Sequence, residues 1–384
     1  MEGITIMFFQ KILKSEIFRS ILAAVAGAIL EFFLAIIFED YFRNLYRRAS
    51  RIVRYVVSRF KLTFDTKAIE NFHIGKHSTP VVVLEGYGSY RRAYYETHRI
   101  TTTLDQEDLQ LPKPLLKNRK LVEEEQLKIK NESGNPRYHN GPMVALDSYS
   151  IARTPFFEDP CLTLNFIKTD YYTFLATSLK MNSVVEDENQ EFDTLKHKYL
   201  SGRSLTDPCK FIATSFGVNL CVITSDNYTL IGKRSDIVSN YRRRFQVGVC
   251  ESVIPTLDSD PDTNPIDLYR TAIRGAQEEL GIEIQKKNVR FFSLCVDVDY
   301  YLYGLTGMIE TDRTLAQLQS RRSLGFKDKI ESSEMVPLEF NPKAILKFIE
   351  NNGGVSEWHP ASFVATIQSL VNHYGIKPVE KIFL

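Results

Sequence analysis

Two adjacent carboxylates, Glu278 and Glu279, follow an arginine, Arg274, within residues 264–284. If this stretch is helical, Arg274 lies one turn before Glu278, a spacing that allows an ion pair. Neighbouring carboxylates on a rigid element are the ligands that a hard cation such as Mg²⁺ prefers. Their types and spacing therefore predict that Glu278 and Glu279 hold a divalent cation.

The element that must position these residues is predicted to be a helix within 264–284. Asn264 is a suitable N-cap, and Pro265 suits the first helical position. Gly281 is the expected left-handed residue just past the last turn. Apolar residues recur at every fourth position: Leu268, Ala272, Ala276 and Leu280. One face is therefore apolar. The spacing alone leaves one alternative open, a capped amphipathic helix with a surface ion pair.

Residues 274–282, RGAQEELGI, resemble the core of a Nudix box, R-E-U-x-E-E-x-G-U, in which U is aliphatic. Gly275 stands where that family has a metal-binding glutamate. Upstream, Gly248 and Glu251 resemble the remaining part of the box, separated from the helix by a polar loop over 256–264.

The resemblance implies that the domain binds a diphosphate through a divalent metal. It assigns catalytic roles to Glu278, Glu279 and Glu251, and the metal, Mg²⁺, to Glu278 and Glu279. Because Gly275 replaces a box glutamate, the resemblance implies phosphate binding and leaves open whether the protein is a Nudix-type hydrolase.

The segments around the helix predict the fold class, α/β, with a Nudix-like α/β/α sandwich. Strands are predicted over 218–224, 228–234, 245–249, 289–298 and 300–309, and a helix is predicted over 361–374. Their order is similar to that of the Nudix sandwich, and the resemblance covers 218–338.

A group of basic residues near the second of these strands is predicted to bind an anionic nucleotide. The group consists of Arg242, Arg243, Arg244 and Lys233, with Arg234 beside them. A solvated run of charge is the alternative interpretation of the three consecutive arginines.

Residues 21–38 predict a single transmembrane helix that precedes the sandwich. The segment is apolar apart from Glu31 and would be about 27 Å long, against a hydrocarbon core of about 30 Å. Its eleven strongly apolar residues contribute about −5 kcal/mol to insertion, and Glu31 costs about +3 kcal/mol. A buried soluble helix is the alternative.

Small residues and Glu31 share one face of that segment: Ala24, Ala28 and Ala35. This spacing permits close helix approach and predicts a homo-oligomer, unless the alanines are merely apolar filler. Basic residues crowd 39–61, which predicts an inner-membrane protein with its C-terminal domain in the cytoplasm and contact with membrane lipid.

Composition agrees with a reducing compartment. The five cysteines are widely spaced and form no C-x-x-C pair. The net charge of +1 gives no reason to expect a nucleic acid polymer as a partner. The predicted domains are a tail (1–20), the transmembrane helix (21–38), a basic juxtamembrane helix (39–61), a lead-in region (62–210), the Nudix-like core (211–345) and a C-terminal helical part (346–384).

This plan resembles the CD-NTase-associated (SMODS-associated) Nudix-domain effectors of bacterial CBASS anti-phage systems. The resemblance implies that the domain binds a cyclic nucleotide from a cognate nucleotidyltransferase, after which the transmembrane helix disrupts the membrane and the cell dies. Two alternatives remain. One is a membrane-anchored Nudix pyrophosphatase that hydrolyses a nucleoside diphosphate derivative, and the other is a non-enzymatic scaffold.

Overall fold

The computed structural model describes residues 70–154, 159–186, 192–260, 265–323 and 332–384. All of them belong to the second of the chain's two units, Phe60–Leu384. The predicted helix N-cap, Asn264, lies outside the described residues.

The strands are β1 (His73–Ile74), β2 (His77–Ser78), β3 (Val81–Gly86), β4 (Ile100–Asp108), β5 (Pro142–Arg153), β6 (Pro160–Asp170), β7 (Val184–Glu186), β8 (Phe192–Thr194), β9 (Phe216–Ile223), β10 (Tyr228–Arg234), β11 (Phe245–Val247), β12 (Val249–Ser252), β13 (Val289–Asp297), β14 (Leu302–Glu310) and β15 (Ser332–Glu339). The helices are α1 (Lys113–Ser133), α2 (Tyr171–Ala176), α3 (Leu195–Leu200), α4 (Pro255–Asp258), α5 (Leu268–Leu280), α6 (Leu315–Ser323), α7 (Pro342–Asn351), α8 (Pro360–Tyr374) and α9 (Ile376–Phe383).

A mixed central sheet has the strand order β11-β10-β9-β14-β13-β3, with β12 paired to β9 and β15 paired to β10. Its parallel pair is β9 with β14, in a register that places Phe216 opposite Tyr303 and Ile223 opposite Glu310. A second sheet has the order β4-β6-β5. Four of the strands predicted around the box are therefore confirmed, with bounds shifted by a few residues at most. The strand predicted over 245–249 is divided into β11, which pairs with β10, and β12, which pairs with β9.

Strand β9 shows how the sheet is buried on both faces. Val218, Leu220 and Val222 belong to a core that also contains the apolar face of α5 and residues of the second sheet. Cys221 and Ile223 belong to a core that contains residues of α7, α8 and α9. Because successive side chains of a strand point to opposite faces, the central sheet is covered by different elements on its two sides. The architecture is thus an α/β/α sandwich.

Helix α5 carries the box, and its ends follow from local sequence. Asp267 has extended dihedral angles, and its side chain accepts a hydrogen bond from the Tyr269 N–H. Gly281 has a φ of 66° and ends the helix. The helix therefore starts at Leu268, later than predicted, because Asp267 is its N-cap. The four apolar residues of the predicted face are all buried.

The lead-in region before the core contains regular structure, including β4, which continues to Asp108, and α1, which spans Lys113–Ser133. Sheet β4-β6-β5 contacts the central sheet through Phe166 and Phe216, whose ring centroids are 5.0 Å apart.

The predicted fold class is wrong in its N-terminal element, the single transmembrane helix. Within the part of the chain that the structure describes, no helix combines the length and the apolar character that a membrane crossing requires. Helix α1 has sufficient length, with 21 residues, but it is rich in lysine and glutamate. The predicted span, 21–38, and the basic stretch, 39–61, lie outside the described residues.

Candidate functional site

Arg274 of α5 is the centre of a cluster of acidic side chains. Its Nε and Nη2 donate to the two carboxylate oxygens of Asp258, each at 2.9 Å. Its Nη1 lies 3.0 Å from Glu251 Oε1 and 3.1 Å from Glu278 Oε2. Nη2 also donates to the carbonyl oxygen of Ser252 at 2.7 Å. One guanidinium therefore joins α5, the end of α4 and strand β12.

The electrostatics of this cluster favour a charged arginine. Burial alone lowers the pKa of Arg274, but the hydrogen bond to Asp258 and the negative charges of Glu251 and Asp258 raise it to well above its usual range. Asp258 is 0% exposed and also accepts a hydrogen bond from the Ile254 N–H. Removing either partner of such a buried ion pair would leave the other charge buried and uncompensated, which strongly destabilises the protein.

Gly275 faces β12 at very close range. A Cβ atom there would lie 2.7 Å from Val249 Cγ1, 3.1 Å from Glu251 Cβ and 3.3 Å from Glu251 Cγ. The space that a box glutamate needs is therefore filled by the strand, and the Glu251 side chain lies against this position. Glycine at 275 permits the close packing of α5 on β12.

Glu279, the second predicted metal ligand, points into the protein. It is 7% exposed, and its Oε1 accepts a hydrogen bond from the Cys250 N–H at 2.8 Å. This bond fixes the last turn of α5 to β12. Glu278 is more exposed and pairs with Arg274.

The carboxylates of the box do not fit Mg²⁺ as they are arranged. Among the described residues there is no group of three or more His, Cys, Asp or Glu side chains that could hold a metal ion. The Arg274 guanidinium contacts both Glu251 and Glu278, so a cation between them would have to displace it. Mg²⁺ at Glu278 and Glu279 remains a prediction.

A cavity of about 360 Å³ lies beside the box. Its lining includes residues of β5, β9, β10, β12, β13, β14 and α2, together with His359 and Ala361 at the start of α8. Polar groups converge on it: Asn219, Arg234, Glu251, Asp297 and His359. Its volume is within the usual range of small-molecule sites. Glu251 belongs to the box and also lines this cavity, so the box and the cavity form one site.

Arg234 lies at the end of β10 and is 7% exposed. Its Nε donates to the carbonyl oxygen of Asn240 at 3.3 Å, and Nη2 donates to Asn240 Oδ1 at 3.1 Å. Its Nη1 donates to Gln246 Oε1 and, weakly, to Cys250 Sγ at 3.9 Å. These acceptors are neutral and hold the guanidinium in place.

The other basic residues of the predicted group lie elsewhere. The described lining of the cavity does not include Lys233, Arg242, Arg243 or Arg244. Lys233 and Arg244 lie over aromatic rings, those of Phe245 and Tyr241. Arg242 donates to the Val238 carbonyl and to the Tyr138 hydroxyl, and Arg243 pairs with Asp236 on the surface. Their nucleotide-binding role remains a prediction.

No family model matches the sequence, and a comparison with curated proteins gives no match. Among the solved structures that are similar in part are the following three. DR0079 from Deinococcus radiodurans is 16% identical, covers 48% of this chain and 95% of its own, and gives a TM-score of 0.29. A MutT protein from Methanosarcina mazei Go1 is 14% identical, covers 41% and 91%, and gives 0.26. The T. brucei MERS1–RNA complex is 10% identical, covers 69% and 97%, and gives 0.25.

The fold is inferred from the topology of the chain itself and from the box pattern. A box helix packs on one face of a mixed sheet, a second helical layer covers the other face, and residues 274–282 keep most of the box pattern. The fold is Nudix-like. Four residues of the site carry no signal in the sequence: Asp258, Asn219, Asp297 and His359. Each joins the site of the Nudix-like domain only through contacts with residues that are distant in sequence.

Asp297, which lines the cavity of the Nudix-like domain, is a carboxyl group with a raised pKa. It is 2% exposed, and burial raises its pKa to about 7, although hydrogen bonds from the Tyr241 hydroxyl and from backbone N–H groups act in the opposite direction. His359 is 6% exposed, and burial together with the charges of Arg234 and Arg244 lowers its pKa well below the usual value. At neutral pH His359 is therefore uncharged.

Replacing Asp297 with asparagine should raise stability at alkaline pH. The ionised form is disfavoured in the folded state, so wild-type stability falls as the pH rises from the unfolded pKa of 3.8 to about 7. Each pH unit in that window costs about 1.4 kcal/mol, so Asp297→Asn should gain on the order of 3 kcal/mol relative to wild type between pH 5 and pH 8. Urea unfolding at both pH values measures this. Asp207→Asn, at an exposed site, is the control, and equal pH profiles for Asp297→Asn and wild type would contradict the expectation.

Proposed function

We propose that this chain is a nucleotide sensor whose Nudix-like domain binds its ligand without hydrolysing it. One observation carries the proposal. Of the carboxylates that would hold a catalytic metal, Glu251 and Glu278 pair with Arg274, and Glu279 accepts a hydrogen bond from the Cys250 N–H. The position of the missing box glutamate, Gly275, is filled by β12. The box thus acts as a structural support for the wall of the cavity.

The cavity supports a nucleotide as the ligand. It combines a buried arginine with amide, carboxyl and imidazole groups, and aromatic side chains, Tyr171, Phe174 and Tyr303, line the remainder. A basic group suits a phosphate, and aromatic and hydrogen-bonding groups suit a base. The finer part of the proposal is that the ligand is a cyclic nucleotide made by a cognate nucleotidyltransferase of a CBASS system and that its binding changes the oligomeric state.

Membrane lipid as a partner and the inner membrane as the location remain predictions from the sequence. Both depend on residues 1–61, which lie outside the described part of the chain.

A hydrolase is the second candidate, and one contact favours it. Glu251 belongs to the Arg274 cluster and also lines the cavity, so a carboxylate of the box does reach the space where a ligand would bind. A hydrolase would need a rearrangement of this cluster that releases Glu251 and Glu278 to a metal.

Turnover measurements separate the two candidates. Full-length protein with Mg²⁺ is incubated with a panel of nucleoside diphosphate derivatives and cyclic dinucleotides, and the products are separated by chromatography. We expect no product above the level given by Glu279→Gln. Metal-dependent phosphate release that disappears in Glu279→Gln or Glu251→Gln would contradict the sensor proposal and support the hydrolase.

A further inference from the structure

Arg234 carries a buried positive charge that the described chain does not neutralise. Its acceptors are a carbonyl oxygen, two side-chain amide oxygens and a thiol, and among the described residues it forms no ion pair. A buried charge without a counter-charge is unfavourable, even when it is hydrogen-bonded. An anionic ligand in the cavity that Arg234 lines would supply the missing charge.

The Arg234 guanidinium can also donate a further hydrogen bond. Arginine has five N–H donors in a fixed fork. Four acceptors contact Arg234 within the described chain, and one of them, the Cys250 sulfur, is 3.9 Å away. Asn240 and Gln246 fix the orientation of the side chain, so the remaining donor capacity is preorganised for a ligand.

Asn219 is oriented in a similar way. Its Oδ1 accepts hydrogen bonds from the Cys250 thiol at 3.3 Å and the Ser362 hydroxyl at 3.2 Å. The acceptor end of the amide is therefore engaged, and its NH₂ group is the part left to donate to a ligand. Asn219 is 8% exposed and lines the same cavity as Arg234.

The first residues of α8 complete this end of the cavity. The helix has 15 residues, and its N-cap, His359, makes no side-chain capping bond. His359 and Ala361 line the cavity, and His359 Nδ1 has no hydrogen-bond partner within the described chain. A helix N-terminus has exposed N–H groups and a partial positive charge, which together favour an anion.

We propose that Arg234, Asn219 and the start of α8 form an anion subsite that binds one phosphodiester group of the ligand directly, without a metal ion. The inference rests on the proposed function and deepens it, because it states which chemical group of the nucleotide is held and by which residues.

The charge at the subsite selects a phosphodiester over a diphosphate. Among the described residues, Arg234 is the one arginine or lysine that lines the cavity, and the helix N-terminus adds about half a unit of positive charge. Asp297 and Glu251 bring acidic groups to the same space. A phosphodiester carries one negative charge and is balanced by this arrangement, whereas the further charges of a diphosphate would face carboxyl groups.

The test compares ligands and variants under metal-free conditions. Full-length protein in EDTA is titrated with a panel of 3′,3′-cyclic dinucleotides that includes all four bases and with the matching nucleoside 5′-diphosphates. The variants are Arg234→Gln and Asn219→Asp. Asn219→Asp preserves the side-chain shape and the oxygen that accepts the hydrogen bonds from Cys250 and Ser362, and it replaces the NH₂ donor with a carboxylate oxygen. It therefore keeps the test decisive if Arg234→Gln fails to fold. Arg243→Gln, which removes an exposed arginine, is the matched control.

We expect at least one cyclic dinucleotide to bind wild type and Arg243→Gln equally and more tightly than its diphosphate counterpart. Arg234→Gln and Asn219→Asp should each weaken that binding by about tenfold or more, the loss expected for a charge-assisted contact or a repulsive charge. Unchanged binding in both variants, or tighter binding of the diphosphate, would overturn the anion subsite and leave the sensor intact. No binding of any nucleotide to wild type would overturn both.

Discussion

Replacing Gly275 with glutamate, which restores the Nudix box pattern, destabilises the protein and produces no hydrolase. The new Cβ would lie 2.7 Å from Val249 Cγ1, closer than van der Waals contact allows, and the new carboxylate would be buried next to Glu251. Overpacking of a core costs about 1–3 kcal/mol, and a buried unpaired charge adds to it. We expect a loss of about 3 kcal/mol or more in urea unfolding.

Gln277→Glu is the matched control for this change. It adds the same carboxylate to an exposed position of the same helix, so its effect should remain within about 0.5 kcal/mol. A stable Gly275→Glu protein that gains Mg²⁺-dependent turnover of a diphosphate would show that the box is a disabled catalytic site, contrary to the packing described above.

The second large effect is expected at Arg274. Arg274→Met keeps much of the side-chain volume but leaves Asp258, which is 0% exposed, without its cation. Removing one partner of a buried ion pair costs about 3–5 kcal/mol. Urea unfolding of Arg274→Met should show a loss of that size, and Arg243→Met, which breaks an exposed pair with Asp236, should show none.

A double variant separates the ion pair from general packing. Because the main cost is an unpaired carboxylate, Arg274→Met combined with Asp258→Asn should recover part of the stability that Arg274→Met loses. If the double variant is less stable than Arg274→Met alone, Asp258 is held by contacts other than Arg274, and the central role assigned to Arg274 is wrong.

The sequence predicts the box helix and its neighbouring strands well, because their signals are local. Gly281 ends α5, the apolar residues from Leu268 to Leu280 are buried, and β10 has the predicted bounds, Tyr228–Arg234. The resemblance to the Nudix box also predicts the α/β/α layering. Each of these features depends on residue types within a few positions of one another.

The site itself is less predictable, because its parts are distant in sequence. Asp258 was expected in a polar loop, yet it is buried against Arg274, 16 positions later. Among five basic residues near β10, the pattern gave no reason to prefer Arg234, which is distinguished only by burial and by the cavity that it lines. Gly275 suggested a lost catalytic group, but its close contact with Val249 shows a packing requirement.

The central claim is that the Nudix-like domain binds a nucleotide without a metal ion and does not cleave it. The most direct test is calorimetric titration of full-length protein with the cyclic dinucleotide panel, with Mg²⁺ and with EDTA, followed by chromatography of the recovered ligand. We predict the same dissociation constant in both conditions and intact ligand. Binding that requires Mg²⁺, or ligand recovered as cleaved product, would contradict the claim and make Glu251, Glu278 and Glu279 catalytic residues.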